Sequence, residues 1–319
     1  KFMYDSNSKG ISYLAGFFML IAFVVASTIL AGLLSIPIWT AMTGESFTAI
    51  EKGMLNPANS NAVKVIQIIT AVVGFLLPAL LTAQIMNRRP MKLLGFKGTI
   101  NWQEISLVFG IVLMALFVSA GLAYFNQNIP VDASWKVKFD KMEADYIKQA
   151  SAILSLNNFG EYLLAIFIMA FLPALCEETL FRGGLQNFLS RSTKNPWLAI
   201  VIVSIIFSVA HFSFYGFLSR VFLGMMLGAI YHYSGKLWLS ILAHFINNAI
   251  AISVVYATKM NGKSVAEAMN DSSDASWYGI FALPFLIALF YFFRKITVRP
   301  AEEIAPAGKD ESLRNTPFY

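Results

Sequence analysis

Apolar residues in this chain fall into long unbroken blocks divided by shorter polar stretches, without the alternation that marks a half-buried strand. Eight blocks stand out, at about 11–39, 63–86, 104–125, 161–182, 196–214, 217–234, 236–256 and 277–293. A helix of about 20 residues crosses about 30 Å of hydrocarbon, so the first three and the seventh span with room to spare, while the sixth and eighth are short. The blocks are apolar all round rather than along one stripe, which leaves them no face for water. This pattern predicts an all-α integral membrane protein, a polytopic bundle of about eight transmembrane helices.

Two connections are long. One covers about 40–62; the other runs from Asn126 to Gly160 and predicts a short amphipathic helix over about 140–156. Connections of this size serve as lids or docking surfaces as readily as plain solvated links. The chain divides accordingly into N-terminal transmembrane helices and outer loops (1–160), a central group of helices (161–256), and a last transmembrane helix with a polar tail (257–319).

Composition agrees with the pattern. Hydrophobic residues make up 57% of the chain and charged residues 13%, against about 45–50% and about 25% in soluble domains. Mean hydropathy is +0.62. A net charge of +6 would suit nucleic acid, but the Lys and Arg residues stand at block ends, where membrane helices carry them for anchoring and orientation. Membrane lipids are therefore the expected surroundings, and nucleic acid is not an expected partner. The single cysteine, Cys176, excludes an internal disulfide. The stretch from Gly10 to Thr43 carries no charge, so it outruns the roughly 7–15 apolar residues of a signal peptide and reads as a retained spanning helix.

Basic residues also predict orientation. With the N-terminus inside, the inner segments hold Lys1 and Lys9; Arg88, Arg89, Lys92 and Lys97; Arg182, Arg191 and Lys194; Lys236; and Arg294, Lys295, Arg299, Lys309 and Arg314. That is fifteen of the 24 basic residues. The bias places both termini in the cytoplasm of a cell-membrane protein.

Ionisable residues inside apolar blocks are costly and mark candidate sites. The fourth block is uncharged from Tyr162 to Cys176 and then reads Glu177-Glu178-Thr-Leu-Phe-Arg182. Neighbouring helical residues point about 100° apart, so the two acids need different partners. Glu178 and Arg182 stand at i and i+4 with the acid first, the favourable order for a pair. That leaves Glu177 free to face another helix. Pro173, lacking an N–H, frees the carbonyl of Met169 and predicts a kink just before the acids. Two of the three histidines lie in nearby blocks, in Phe207-Ser-Val-Ala-His211 and in His244-Phe-Ile-Asn-Asn248. His244 and Asn248 share a face, with Asn247 turned away. His232, between Tyr231 and Tyr233 at a block end, reads as interfacial and structural.

These groups admit two peptidase mechanisms. In one, Glu177 is the general base for a water that His211 helps to hold, and His244 and Asn248 donate to the oxyanion of an attacked amide. In the other, Glu177, His211 and His244 bind zinc and the metal carries the water. The zincin pattern H-E-x-x-H is absent, and no two of these ligands share a helix. No G-x-S-x-G elbow is present, and Ser208 and Ser240 have no distinctive setting.

Together, E-E-x-x-x-R at Glu177, Glu178 and Arg182, F-x-x-x-H at Phe207 and His211, and H-x-x-x-N at His244 and Asn248 resemble the CPBP family. Its members are the CAAX prenyl endopeptidases of the Ras-converting type and bacterial relatives linked to bacteriocin processing. The resemblance implies eight membrane helices and cleavage of membrane-associated or lipidated peptides by a glutamate-activated water, without a covalent intermediate; no cofactor is expected, with zinc as the alternative. It assigns Glu177 as base, His211 as the water-positioning histidine, and His244 and Asn248 as the oxyanion pair. Glu178, Arg182 and Phe207 support them. Rival readings of the same charges are a proton-coupled transporter and a non-enzymatic membrane scaffold. One difficulty stands against a common site: counted from the block ends, His211 and His244 differ in depth by about 10 Å.

Overall fold

The computed structural model describes residues 7–271 and 276–297. Among these there is no β-strand, only an isolated bridge between Ser8 and Asn87. Among the described residues, ten helices of seven residues or more organise the fold: α1 (Tyr13–Thr43), α2 (Pro57–Met86), α3 (Trp102–Gln127), α4 (Ala133–Ile153), α5 (Phe159–Thr193), α6 (Pro196–Val209), α7 (Phe217–Ser234), α8 (Leu237–Met260), α9 (Val265–Asp271) and α10 (Trp277–Thr297). Local signals set their ends. Ser12, Asn158 and Asn195 accept N-cap hydrogen bonds at α1, α5 and α6, Asn101 and Glu104 form a reciprocal capping box on α3, and Gly44 and Gly235 stop α1 and α7 at positive φ.

Six of these helices, α1, α2, α3, α5, α8 and α10, are long and apolar enough to cross a membrane. The chain is thus a polytopic helical membrane protein. Phe18, Leu33 and Ile287 each leave 60% or more of their surface outside, which suits hydrocarbon as solvent and would be unfavourable in water. α6 has only 14 residues, and α7, with Arg220 and His232 within it, is not among the six. The eighth block, short by sequence, is a 21-residue helix.

Helices α5 and α8 bury the largest share of their apolar windows, 39% each, and α1 and α10 the smallest, 11% each. The chemistry-bearing helices are therefore the interior ones. Close packing depends on small residues: a Cβ on Gly224 of α7 would lie 3.0 Å from Ser204 of α6, and one on Gly184 of α5 would lie 2.5 Å from Leu20 of α1.

Several sequence expectations are corrected. The fourth block does not end at Arg182: α5 continues to Thr193, and residues 183–190 are buried. Thirty-five residues reach about 52 Å, more than one bilayer crossing, because the far end runs on through protein. Arg182 is therefore a fully buried group, not an interfacial one, and it leaves the orientation count. The fifth block ends at Val209, so His211 lies beyond a short helix. The amphipathic helix expected at 140–156 is the 21-residue α4. Lys1, Arg299, Lys309, Arg314 and the polar tail lie outside the described residues.

Candidate active site

The site begins with the irregular course of α5. Around Pro173 the helix widens into π turns at Ile166–Phe171, returns to α geometry over Leu172–Glu178, and widens again at Thr179–Gln186. Single π turns absorb a missing hydrogen bond and re-aim the side chains that follow, and they gather at functional sites. Here they flank the two glutamates.

Glu178 is fully buried and wholly partnered. Its Oε1 accepts from Arg182 Nη1 at 2.7 Å and from His244 Nδ1 at 2.9 Å, and its Oε2 accepts from Ser240 Oγ at 2.5 Å. Arg182 Nη2 donates onward to the carbonyl of Gly224 at 3.1 Å, and its guanidinium lies 4.8 Å from the Phe207 ring centre. One turn further, Gln186 repeats the arrangement by donating to Gly228 at 3.0 Å. The i, i+4 pair read from sequence is present, inside a network joining α5, α7 and α8. A buried ion pair needs such additional donors to offset the loss of hydration.

Glu177 lies on the other side of α5. Its Oε2 is buried without a hydrogen-bond partner, and the nearest cationic candidate is His244 Nε2 at 4.0 Å. His244 thus stands between the two acids. Because a carboxylate only accepts, Nδ1 of His244 carries the proton it gives to Glu178, and Nε2 points toward Glu177.

His211 sits in the segment 210–216 between α6 and α7. Its Nδ1 is 2.8 Å from the carbonyl of Phe207; a carbonyl likewise only accepts, so Nδ1 is the donor, and Nε2 of the neutral ring is an acceptor. The Phe207 ring fills the space between the two imidazoles, 4.8 Å from His211 and 6.0 Å from His244. The depth difference counted from the block ends does not separate the two histidines, which line one cavity.

Asn248 Nδ2 donates to the carbonyl of Met169 at 3.4 Å, the carbonyl that Pro173 was expected to free. Its Oδ1 accepts from Asn247 Nδ2 at 3.1 Å. Asn247 is not turned away, as the helical wheel suggested, but lines the same cavity. That cavity, about 1240 Å³, is bordered by Glu177, Phe207, His211, His244, Asn247 and Asn248, and by α4 on its far wall. His232 lies elsewhere, against Trp197 and Tyr233, in keeping with a structural role.

The segment carrying His211 is anchored on two sides. Asn126 of α3 donates to the carbonyl of Phe214 and accepts from the N–H of Leu218. From α4, Phe139 stacks on Phe214 with ring centres 3.9 Å apart, Glu143 accepts from Ser213 at 2.7 Å, and Asp140 accepts from the Tyr215 hydroxyl at 2.5 Å.

Sequence reasoning missed Ser240 and Asn126. Ser240 had a signal: residues 240, 244 and 248 are all polar at spacings of four in an apolar helix, a single face. Asn126 had none, since its partners are backbone atoms more than 80 positions away. Among the described residues, no group of three or more His, Cys, Asp or Glu side chains is placed to hold a metal ion.

Residues 159–250 match the family model described as type II CAAX prenyl endopeptidase Rce1-like. The matched segment contains all seven residues picked out by the three motifs. No curated protein and no solved structure matches the chain.

Proposed function

We propose that this chain is a membrane-embedded endopeptidase of the CPBP and CAAX type, which hydrolyses membrane-associated or lipidated peptides with a water activated by Glu177 and held by His211. The observation that carries this reading is the buried, unpartnered Oε2 of Glu177, 4.0 Å from His244 Nε2, on a residue that lines one cavity with His211 and Asn248. A water there would give one hydrogen to the Glu177 carboxylate and point the other at Nε2 of His211. As its oxygen adds to the amide carbon, the first proton passes to Glu177 and negative charge collects on the former carbonyl oxygen. Asn248 Nδ2 has a second hydrogen beyond the one given to Met169, and it meets that oxygen. His244 in its imidazolium form offers Nε2–H while Nδ1–H stays on Glu178. Glu177 then returns its proton to the leaving amine, and the C–N bond breaks.

The polar network under Glu178 has a different task, fixing the orientation of His244. No step needs a metal or other cofactor. The reading carries the remaining expectations with it: a cell-membrane location, both termini cytoplasmic, and a peptide or lipidated protein as partner.

The test is cleavage of a lipidated peptide by the purified protein in nanodiscs, followed by mass spectrometry. Cleavage should fall by about 10²- to 10⁴-fold in Glu177→Gln and persist after thorough chelation. Full cleavage by Glu177→Gln would sink the mechanism. Loss on chelation with recovery on zinc would replace the carboxylate-activated water with a metal-bound one.

A further inference from the structure

The cavity holds further charged groups that the hydrolytic steps do not use, and one of them lacks a partner. Arg220, in the first turn of α7, lines it together with Glu177 and His211. Its Nη1 is buried and has no hydrogen-bond partner, and among the described residues Arg220 makes no ion pair. A buried guanidinium nitrogen without an acceptor is costly and uncommon. Arg182, by contrast, is held through both terminal nitrogens, Nη1 on Glu178 and Nη2 on the Gly224 carbonyl, and only its Nε lacks a partner.

The position of Arg220 is built. Its guanidinium lies 5.1 Å from the centre of the Tyr146 ring on α4, a cation–π contact that fixes the plane. It also folds back over Gly216, where a Cβ would stand only 2.3 Å from Nη1. Any larger residue at 216 would push the guanidinium away. Glu143, the nearby acid on the cavity's α4 wall, is already engaged by Ser213, and Lys136 adds a second positive charge to the lining. Planar guanidinium with free N–H groups is matched best by a carboxylate, through charge-assisted and often paired hydrogen bonds.

Resting on the endopeptidase reading, we infer that Arg220 is a specificity-determining residue that binds a carboxylate of the peptide substrate. Two sources supply that chemistry: the peptide's own C-terminus, or an acidic side chain near the scissile bond. In either case Arg220 sets how the peptide lies across Glu177, so cleavage falls at a fixed distance from the bound anion.

The experiment uses full-length protein in nanodiscs of uncharged lipid, with Glu177→Gln present so that peptide binds without being cut. Four fluorescent lipidated peptides are compared: C-terminal acid or amide, each with or without one acidic residue. Neutralising the recognised carboxylate should weaken binding about 10- to 100-fold, the range of a charge-assisted pair, and the peptide that shows it identifies the source. Arg220→Gln should bind all four alike. Gly216→Ala, which keeps the charge but displaces it, should lose most of the discrimination and decides the matter alone should Arg220→Gln not fold. Equal binding of the four peptides by Arg220 protein, or discrimination surviving in Arg220→Gln, overturns the inference. Discrimination that depends on Arg220 in a protein whose Glu177 form never cuts would instead leave the inference standing and remove the endopeptidase reading.

Discussion

Around Glu178 every carboxylate oxygen has a donor, from Arg182, His244 and Ser240. One residue earlier on the same helix, Glu177 presents a buried oxygen to a cavity with no donor on it. The two regions share a residue type, a helix and an imidazole, since His244 reaches both. What differs is how completely the protein satisfies the charge. A carboxylate surrounded by fixed donors is part of the scaffold. One left open, with acceptors and donors arranged nearby rather than upon it, is placed to exchange a proton. On the proposed mechanism the two acids divide the work: the first would react, and the second holds the histidine that would serve the first.

The sharpest way to break the comparison is to neutralise each acid in turn. Glu177→Gln should lower cleavage by about 10²- to 10⁴-fold, the usual contribution of a general base. Its thermal unfolding midpoint in detergent should be unchanged or higher, since no native hydrogen bond is lost. Glu178→Gln should lower both activity and the unfolding midpoint, because Arg182 loses its counter-charge. Equal loss of stability in the two variants would contradict the division of roles.

Arg182→Met tests the scaffold side directly. It leaves Glu178 buried with its cation gone, a change that costs about 3–5 kcal/mol in comparable buried pairs, read as a fall in unfolding free energy. Combined with Glu178→Gln, the loss should be well below the sum of the two single changes, because both remove the same interaction. Additive losses would show that the pair does not act as a unit.

The oxyanion side gives the next effect. Asn248→Ala should reduce kcat by about 10²- to 10³-fold with KM little changed, the pattern of a donor used only in the transition state. A rise in KM at constant kcat would place Asn248 in substrate binding instead.

Much of this division was legible in the sequence because helical spacing is local. Glu178 and Arg182 are one turn apart, and any helix brings them together. Pro173 announced the free Met169 carbonyl for the same reason, although not that Asn248 would come to it. What spacing could not give was the course of the chain where it leaves a helix. The apolar run through Phe214 concealed the end of α6 at Val209, which put His211 inside a helix rather than in the turn after it. Asn247 was misassigned because a wheel places a side chain by angle alone, whereas its carboxamide reaches round to Asn248. The wall formed by α4 was also unreadable: Phe139, Asp140 and Glu143 meet residues 213–215 some 70 positions later, and no periodicity encodes that.

The smallest expected effect is at Ser240, and it bears on the comparison most finely. Its hydroxyl is the sole donor on Oε2 of Glu178 among the described residues, yet Arg182 and His244 both remain on Oε1 when it is removed. Ser240→Ala should therefore cost about 1–2 kcal/mol of unfolding free energy, within the range for one hydrogen bond to a charged or neutral partner. Cleavage should fall less than tenfold, because His244 keeps the bond that sets its tautomer. A loss approaching that of Glu177→Gln would mean that the carboxylate of Glu178 swings when Oε2 is released and carries His244 with it. The two acids would then form a single coupled device, and the boundary between scaffold and reacting group would have to be drawn at His244 rather than between Glu177 and Glu178.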